Sequence, residues 1–199
     1  MMTYLKMSEK ISEAISKEMD YDNEKKLVLT YALENLFLTV TGFVIITMVG
    51  YMLGIMYEVL AVAVVGGSLR LSSGGSHNAT PLGCLFTGTI MYTLIGYSVS
   101  LIYSEFGGEL WLHIVMLILC VLFICIVYKY APVDSVAKPI VSKEYRQRLR
   151  IISIITMLCY TLIVIININN IVGMIVVGGL VVQVISLLPK KKKDNPRKL

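Results

Sequence analysis

Between residues 32 and 188 the chain is a succession of apolar runs, each about as long as one bilayer crossing, separated by short polar breaks. A spanning helix needs about 20 consecutive, mostly apolar residues. The runs lie at 32–54, 84–103, 109–128, 150–167 and 170–188, with a shorter one at 57–69. With 56% of its 199 residues hydrophobic and 16% charged, the chain lacks the polar surface a soluble domain of that size requires. The expected fold is an all-α integral membrane protein of about six transmembrane helices. It reads as one polytopic domain over residues 1–199: an amphipathic cytoplasmic segment at 1–30, a helical bundle at 32–188 and a basic cytoplasmic tail at 189–199.

The N-terminal segment is charged throughout and has none of the parts of a secretory signal. From residue 3 to 19, Leu5, Met7, Ile11, Ala14, Ile15 and Met19 recur at helical spacing, with lysines and glutamates between them. One apolar and one charged face result, suited either to the membrane interface or to packing on the rest of the protein. The run 57–69 is open to two readings, a marginal span or a re-entrant segment.

Charge sets the orientation. Of 18 Lys and Arg residues, five precede the first span, Arg70 stands in a glycine-rich break, six lie from Lys129 to Arg150 and six follow Leu188. All fall on one side if 57–69 crosses, and by the positive-inside rule that side is cytoplasmic, with both termini. The stretch from Lys129 to Arg150 is expected to be the one substantial loop. Its basic residues, and the Lys190–Lys193 run, would attract anionic lipid or an acidic peptide, although topology alone explains them. Nothing in this pattern points to nucleic acid.

Polar chemistry gathers in the break at 70–83, LRLSSGGSHNATPLG in its context, which holds Arg70, Gly74, Gly75 and His77 and leads to Cys84. Thr80 can cap and Pro81 can begin the next helix, placing Cys84 in its opening turn. There the helix dipole, and a neighbouring imidazolium, would favour the thiolate that cysteine chemistry uses. A histidine can take up and return the proton. The glycines allow the backbone to bring His77 back toward Cys84 and could present N–H groups to an oxyanion. Cys120, Cys125 and Cys159 lie in apolar runs and read as packing residues. No spacing matches a zinc site, so no metal or other cofactor is expected. His113, beside Trp111, reads as an interfacial anchor.

These residues resemble the accessory gene regulator protein B family, membrane-embedded cysteine endopeptidases that process autoinducing-peptide precursors in Gram-positive bacteria. The resemblance rests on Arg70, Gly74-Gly75-Ser76-His77 and Cys84, and extends to Tyr130-Ala131-Pro132-Val133-Asp134 through Lys138-Pro139-Ile140. Length, the charged N-terminal helix and the six spans are similar too. Asn78 departs from the family, which commonly has a small residue there.

The resemblance implies that Cys84 is the nucleophile and His77 its general base, in a cell-membrane enzyme whose site faces the cytoplasm. The substrate would be a small amphipathic precursor held at the bilayer surface. Cys84 would release its C-terminal part and hold the rest as a thioester, which an internal thiol or hydroxyl would close to a thiolactone or lactone for quorum sensing and virulence regulation. Arg70 reads either as a carboxylate partner or as a topology anchor, and Asp134 either as a group orienting His77 or as a solvated loop residue. The competing reading is a transporter or exporter of a small peptide or solute without covalent chemistry; it predicts that Cys84 tolerates replacement. A non-catalytic scaffold ranks last, since it has no need of such a break. Gly42, Gly50 and Gly54, or Gly173, Gly178 and Gly179, would permit close helix packing, within one chain or in a homodimer.

Overall fold

The computed structural model describes residues 2–75, 80–133 and 142–188. Among the described residues the regular structure is all helix: α1 Met2–Glu18, α2 Asn23–Met52, α3 Met56–Ser73, α4 Pro81–Phe106, α5 Leu110–Tyr130, α6 Lys143–Ile166 and α7 Ile171–Leu187. Among the described residues, four helices are long and apolar enough to cross a membrane: α2, α4, α5 and α6. The run expected at 57–69 extends to an 18-residue helix, α3, and α7 has 17 residues. At 1.5 Å per residue they run about 27 and 26 Å, just short of the ~30 Å hydrocarbon core.

The chain divides into two compact units, Met1–Ile45 and Ile46–Leu199. In the first, α1 ends where Asp20 adopts the left-handed conformation (φ 51°) and the Tyr21 N–H bonds back to the Ser16 carbonyl at 2.9 Å. Asp22 then accepts from the Lys25 N–H at 2.8 Å, so α2 begins nine residues ahead of its apolar run. The side of α1 that is buried is neither of the two expected faces but the stripe Ser8, Ser12 and Ser16. Small side chains let helices approach closely, and Thr30 of α2 donates to Ser12 Oγ at 2.7 Å. Met7 and Met19 stay outward, which leaves the apolar face of α1 available for a membrane interface.

The second unit is built on α3 and α7. Val65 and Leu69 of α3 and Leu180, Val184 and Leu187 of α7 are buried, with Met116, Cys120, Phe123 and Val127 of α5 and Met157 and Val164 of α6 around them. Lipid is as apolar as leucine, so close van der Waals contact and interhelical hydrogen bonds must hold such helices together. The approach is closest at two glycines. A Cβ on Gly179 would lie 2.6 Å from Val65 Cβ, and one on Gly66 would lie 3.0 Å from the Gly179 carbonyl oxygen. Gly178 receives Val99 and Ile95 of α4 in the same way. The glycine pair expected to serve either a dimer or intrachain packing is thus engaged within one chain. Outward faces remain apolar, as on α5 with Ile118, Val121 and Leu122, which suits contact with lipid.

The expected loop from Lys129 to Arg150 is shorter than the sequence suggested. α5 runs to Tyr130, and Ser142, whose hydroxyl accepts from the Tyr145 N–H at 3.3 Å, starts α6 at Lys143. Hydropathy marks only the lipid-embedded part of a helix and misses its charged first turns.

Candidate functional site

The site is assembled from the end of α3, the start of α4 and one side chain of α7. Arg70 occupies the last turn of α3. The helix stops because Gly74 is left-handed (φ 68°), with its N–H bonded to the Arg70 carbonyl at 3.0 Å. A side chain on Gly74 would strike the Val133 carbonyl, because the chain after α5 docks there: the Val133 N–H donates to the Ser73 carbonyl at 2.9 Å and residues 74 and 133 form a parallel bridge. At Gly75 (φ 153°) a Cβ would lie 2.6 Å from the Ser186 hydroxyl oxygen, a side-chain atom rather than backbone.

Gln183 fixes this terminus from α7. It is 1% exposed, and its Nε2 donates to Ser73 Oγ at 2.8 Å and to the Gly74 carbonyl at 2.7 Å. Its Oε1 accepts from the Ser186 hydroxyl at 3.0 Å. A buried amide with its hydrogen bonds satisfied holds its partners in one geometry, and in an apolar surround the alternatives are costly. The Gly74–Gly75 corner is therefore held by Gln183 and by the segment after α5.

Cys84 lies where the cap chemistry puts it. Thr80 is the N-cap of α4, accepting from the Gly83 N–H at 3.1 Å, and Pro81 is the first helical residue. The Cys84 N–H makes the first α-helical bond of α4, to the Thr80 carbonyl at 3.1 Å. Its free thiol is part-exposed, unlike that of Cys120, which is buried.

The structure also brings in Tyr92, which sequence reading missed. It lies about two turns along α4 from Cys84. Its ring and hydroxyl pack at Gly66, each 3.1 Å from where a Cβ would be. Gly66 stands one turn before Arg70 on α3. Tyr92 thus packs across the α3–α4 contact, one turn of α3 from Arg70. The available signal was the spacing Cys84–Gly88–Tyr92, a polar-tipped aromatic following the cysteine at helical period. His77 and Asp134 fall outside the described residues. Two surface grooves run along α6, and neither is lined by Arg70 or Cys84.

The accessory gene regulator B family model matches residues 8–187. An AgrB-like protein of Clostridium perfringens strain SM101 is 32% identical over 147 residues, covering 72% of this chain and 67% of that relative. A second AgrB-like protein, from Clostridium perfringens strain 13, is likewise 32% identical over 147 residues, with 72% and 67% covered. An AgrB-like protein of Clostridium acetobutylicum is 25% identical over 146 residues, covering 73% of this chain and 66% of its own. No solved structure matches.

Proposed function

We propose that this chain, which belongs to the accessory gene regulator B family, is a membrane cysteine endopeptidase that trims a small amphipathic precursor peptide and closes the retained part into a ring. The observation that carries the reading is Cys84: a part-exposed thiol in the opening turn of α4, a helix packed on the one whose last turn carries Arg70. In this reading residues 1–199 act as one polytopic unit in the cell membrane of a Gram-positive bacterium, with α2 to α7 as six crossings. All basic clusters, both termini and the site then share the cytoplasmic side.

The Cys84 thiolate attacks a peptide carbonyl of the precursor. Collapse of the tetrahedral oxyanion breaks the C–N bond, and the tail leaves as an amine carrying the proton that His77 took from the thiol. A thiol or hydroxyl within the retained peptide then attacks the thioester carbonyl. It gives its proton to His77, and Cys84 leaves as thiolate, protonated again from His77. The thioester conserves the energy of the cleaved bond, so ring closure needs no nucleotide. Arg70 offers a fork for the precursor's carboxylates, and Asp134 orients His77. Exclusion of water near the apolar start of α4 favours closure over hydrolysis.

The test mixes the protein in liposomes with an amphipathic precursor bearing an internal Cys or Ser and follows both by intact mass. Wild-type protein should gain a precursor-derived adduct and release the tail, and Cys84→Ala and His77→Ala should do neither. Tail release that persists in Cys84→Ala would sink the proposal.

A further inference from the structure

We propose that the groove between the C-terminal end of α5 and the second turn of α6 is a binding site for one anionic phospholipid. It has a volume of about 560 Å³ and is lined by Ile124, Cys125, Tyr128 and Lys129 of α5 and Arg150 and Ile154 of α6. The lining is sorted by depth. Lys129 and Arg150 stand at one end, while Cys125 and Ile154 lie one turn, about 6 Å, further along their helices toward the apolar centre. No acidic side chain is among the lining residues.

The cationic end is built rather than incidental. The last carbonyls of a helix lack intrahelical partners. Arg150 Nη2 donates to one of them, that of Tyr128, at 2.6 Å, and its guanidinium lies over the Tyr128 ring, 4.8 Å from the centroid. Those two contacts hold the arginine plane in place, and a guanidinium has five N–H donors, enough to serve a phosphate as well. Lys129 Nζ, 5.4 Å from the Tyr130 centroid, adds a second charge. Tyrosines mixed with cations mark the headgroup level of a membrane protein. A bilayer lipid docking there puts its phosphate at the cations and an acyl chain along Ile124, Cys125 and Ile154. The charge complementarity selects anionic headgroups over zwitterionic ones.

Native mass spectrometry of the full chain, offered equimolar phosphatidylglycerol and phosphatidylcholine, tests this. Wild-type protein should retain phosphatidylglycerol preferentially. Lys129→Gln with Arg150→Gln should weaken retention about fivefold for each charge removed. Lys143→Gln with Arg148→Gln removes as many charges outside the groove and should leave retention unchanged. Ile154→Trp, which fills the apolar part with every charge in place, should also release the lipid, so the proposal does not hang on one variant that might misfold. Three results would overturn it: equal retention of both lipids, equal losses in the two double variants, or one-for-one displacement of phosphatidylglycerol by equimolar precursor peptide, which would give the groove to the peptide.

Discussion

Replacing Gln183 by leucine asks whether one amide holds the end of α3. Nε2 bonds Ser73 Oγ at 2.8 Å and the Gly74 carbonyl at 2.7 Å. Ser73 keeps its own bond to the Leu69 carbonyl at 2.8 Å, so its hydroxyl loses only an incoming donor. The Gly74 carbonyl is left with a long 3.5 Å approach from Ser73 Oγ. A buried acceptor without a partner costs about 1–3 kcal/mol, and an interhelical bond between side chains in a membrane averages about 0.6. The expected destabilisation is about 2 kcal/mol. Reversible unfolding in mixed micelles, followed by helical circular dichroism, measures it in wild type, Gln183→Leu, Ser73→Ala and the double variant. The double variant should be more stable than additivity predicts by about 0.6 kcal/mol or more. Because the Gly74–Gly75 corner leads into the segment bearing His77, precursor tail release should fall by at least about tenfold, in line with the sensitivity of catalysis to misplacements near 1 Å. Unfolding unchanged within about 0.5 kcal/mol, together with undiminished tail release, would refute the clamp.

A membrane-impermeant maleimide should modify a single thiol, Cys84, because Cys120 is buried and Cys125 and Cys159 face outward from spanning helices; peptide mapping after labelling decides it. Gly179→Val should push α7 from α3, since even a Cβ would lie 2.8 Å from the Val62 carbonyl oxygen, and thermal unfolding should show a loss of about 1–3 kcal/mol, with Gly179→Ala smaller in the same direction. Tyr92→Phe keeps the ring packed at Gly66 and removes only the hydroxyl, so thermal unfolding should move by no more than about 0.5 kcal/mol.

Much of this was legible before any coordinates. Thr80 and Pro81 carry local signals, a cap and a preset φ, and local signals survive any tertiary arrangement, so the position of Cys84 in α4 could be read from the sequence alone. The apolar runs likewise gave the helices, but not their ends. Asp22 and Ser142 start α2 and α6 well outside the hydrophobic stretches, because capping depends on side-chain hydrogen bonds to which hydropathy is blind. The serine stripe of α1 was invisible to a reading that sorts residues into apolar and charged. Gln183 offered a signal that went unused: a lone amide in the apolar run IVGMIVVGGLVVQVISL, where polar groups are expensive and persist only with partners. Its partners, 110 and 109 residues away in the sequence, could only come from the fold.

The end of α3 calls for such a clamp because its backbone is buried there. The last carbonyls of α3 lack intrahelical partners, and where they are buried they must be satisfied by protein. At the end of α3 the satisfying groups are Gln183, reaching the Gly74 carbonyl, and the Val133 N–H, reaching that of Ser73. The glycine crossing at Gly66 and Gly179 sets α7 close enough for that amide to reach. The same approach leaves room at Gly66 for Tyr92. Polar backbone held by buried hydrogen bonds is a rigid platform, and the proposed role of Cys84 at a helix start would require one to meet a carbonyl in a single geometry. A larger residue at Gly179 should therefore lower tail release in step with the loss of the Gln183 bonds, and measuring both in Gly179→Ala would show whether packing and chemistry fail together.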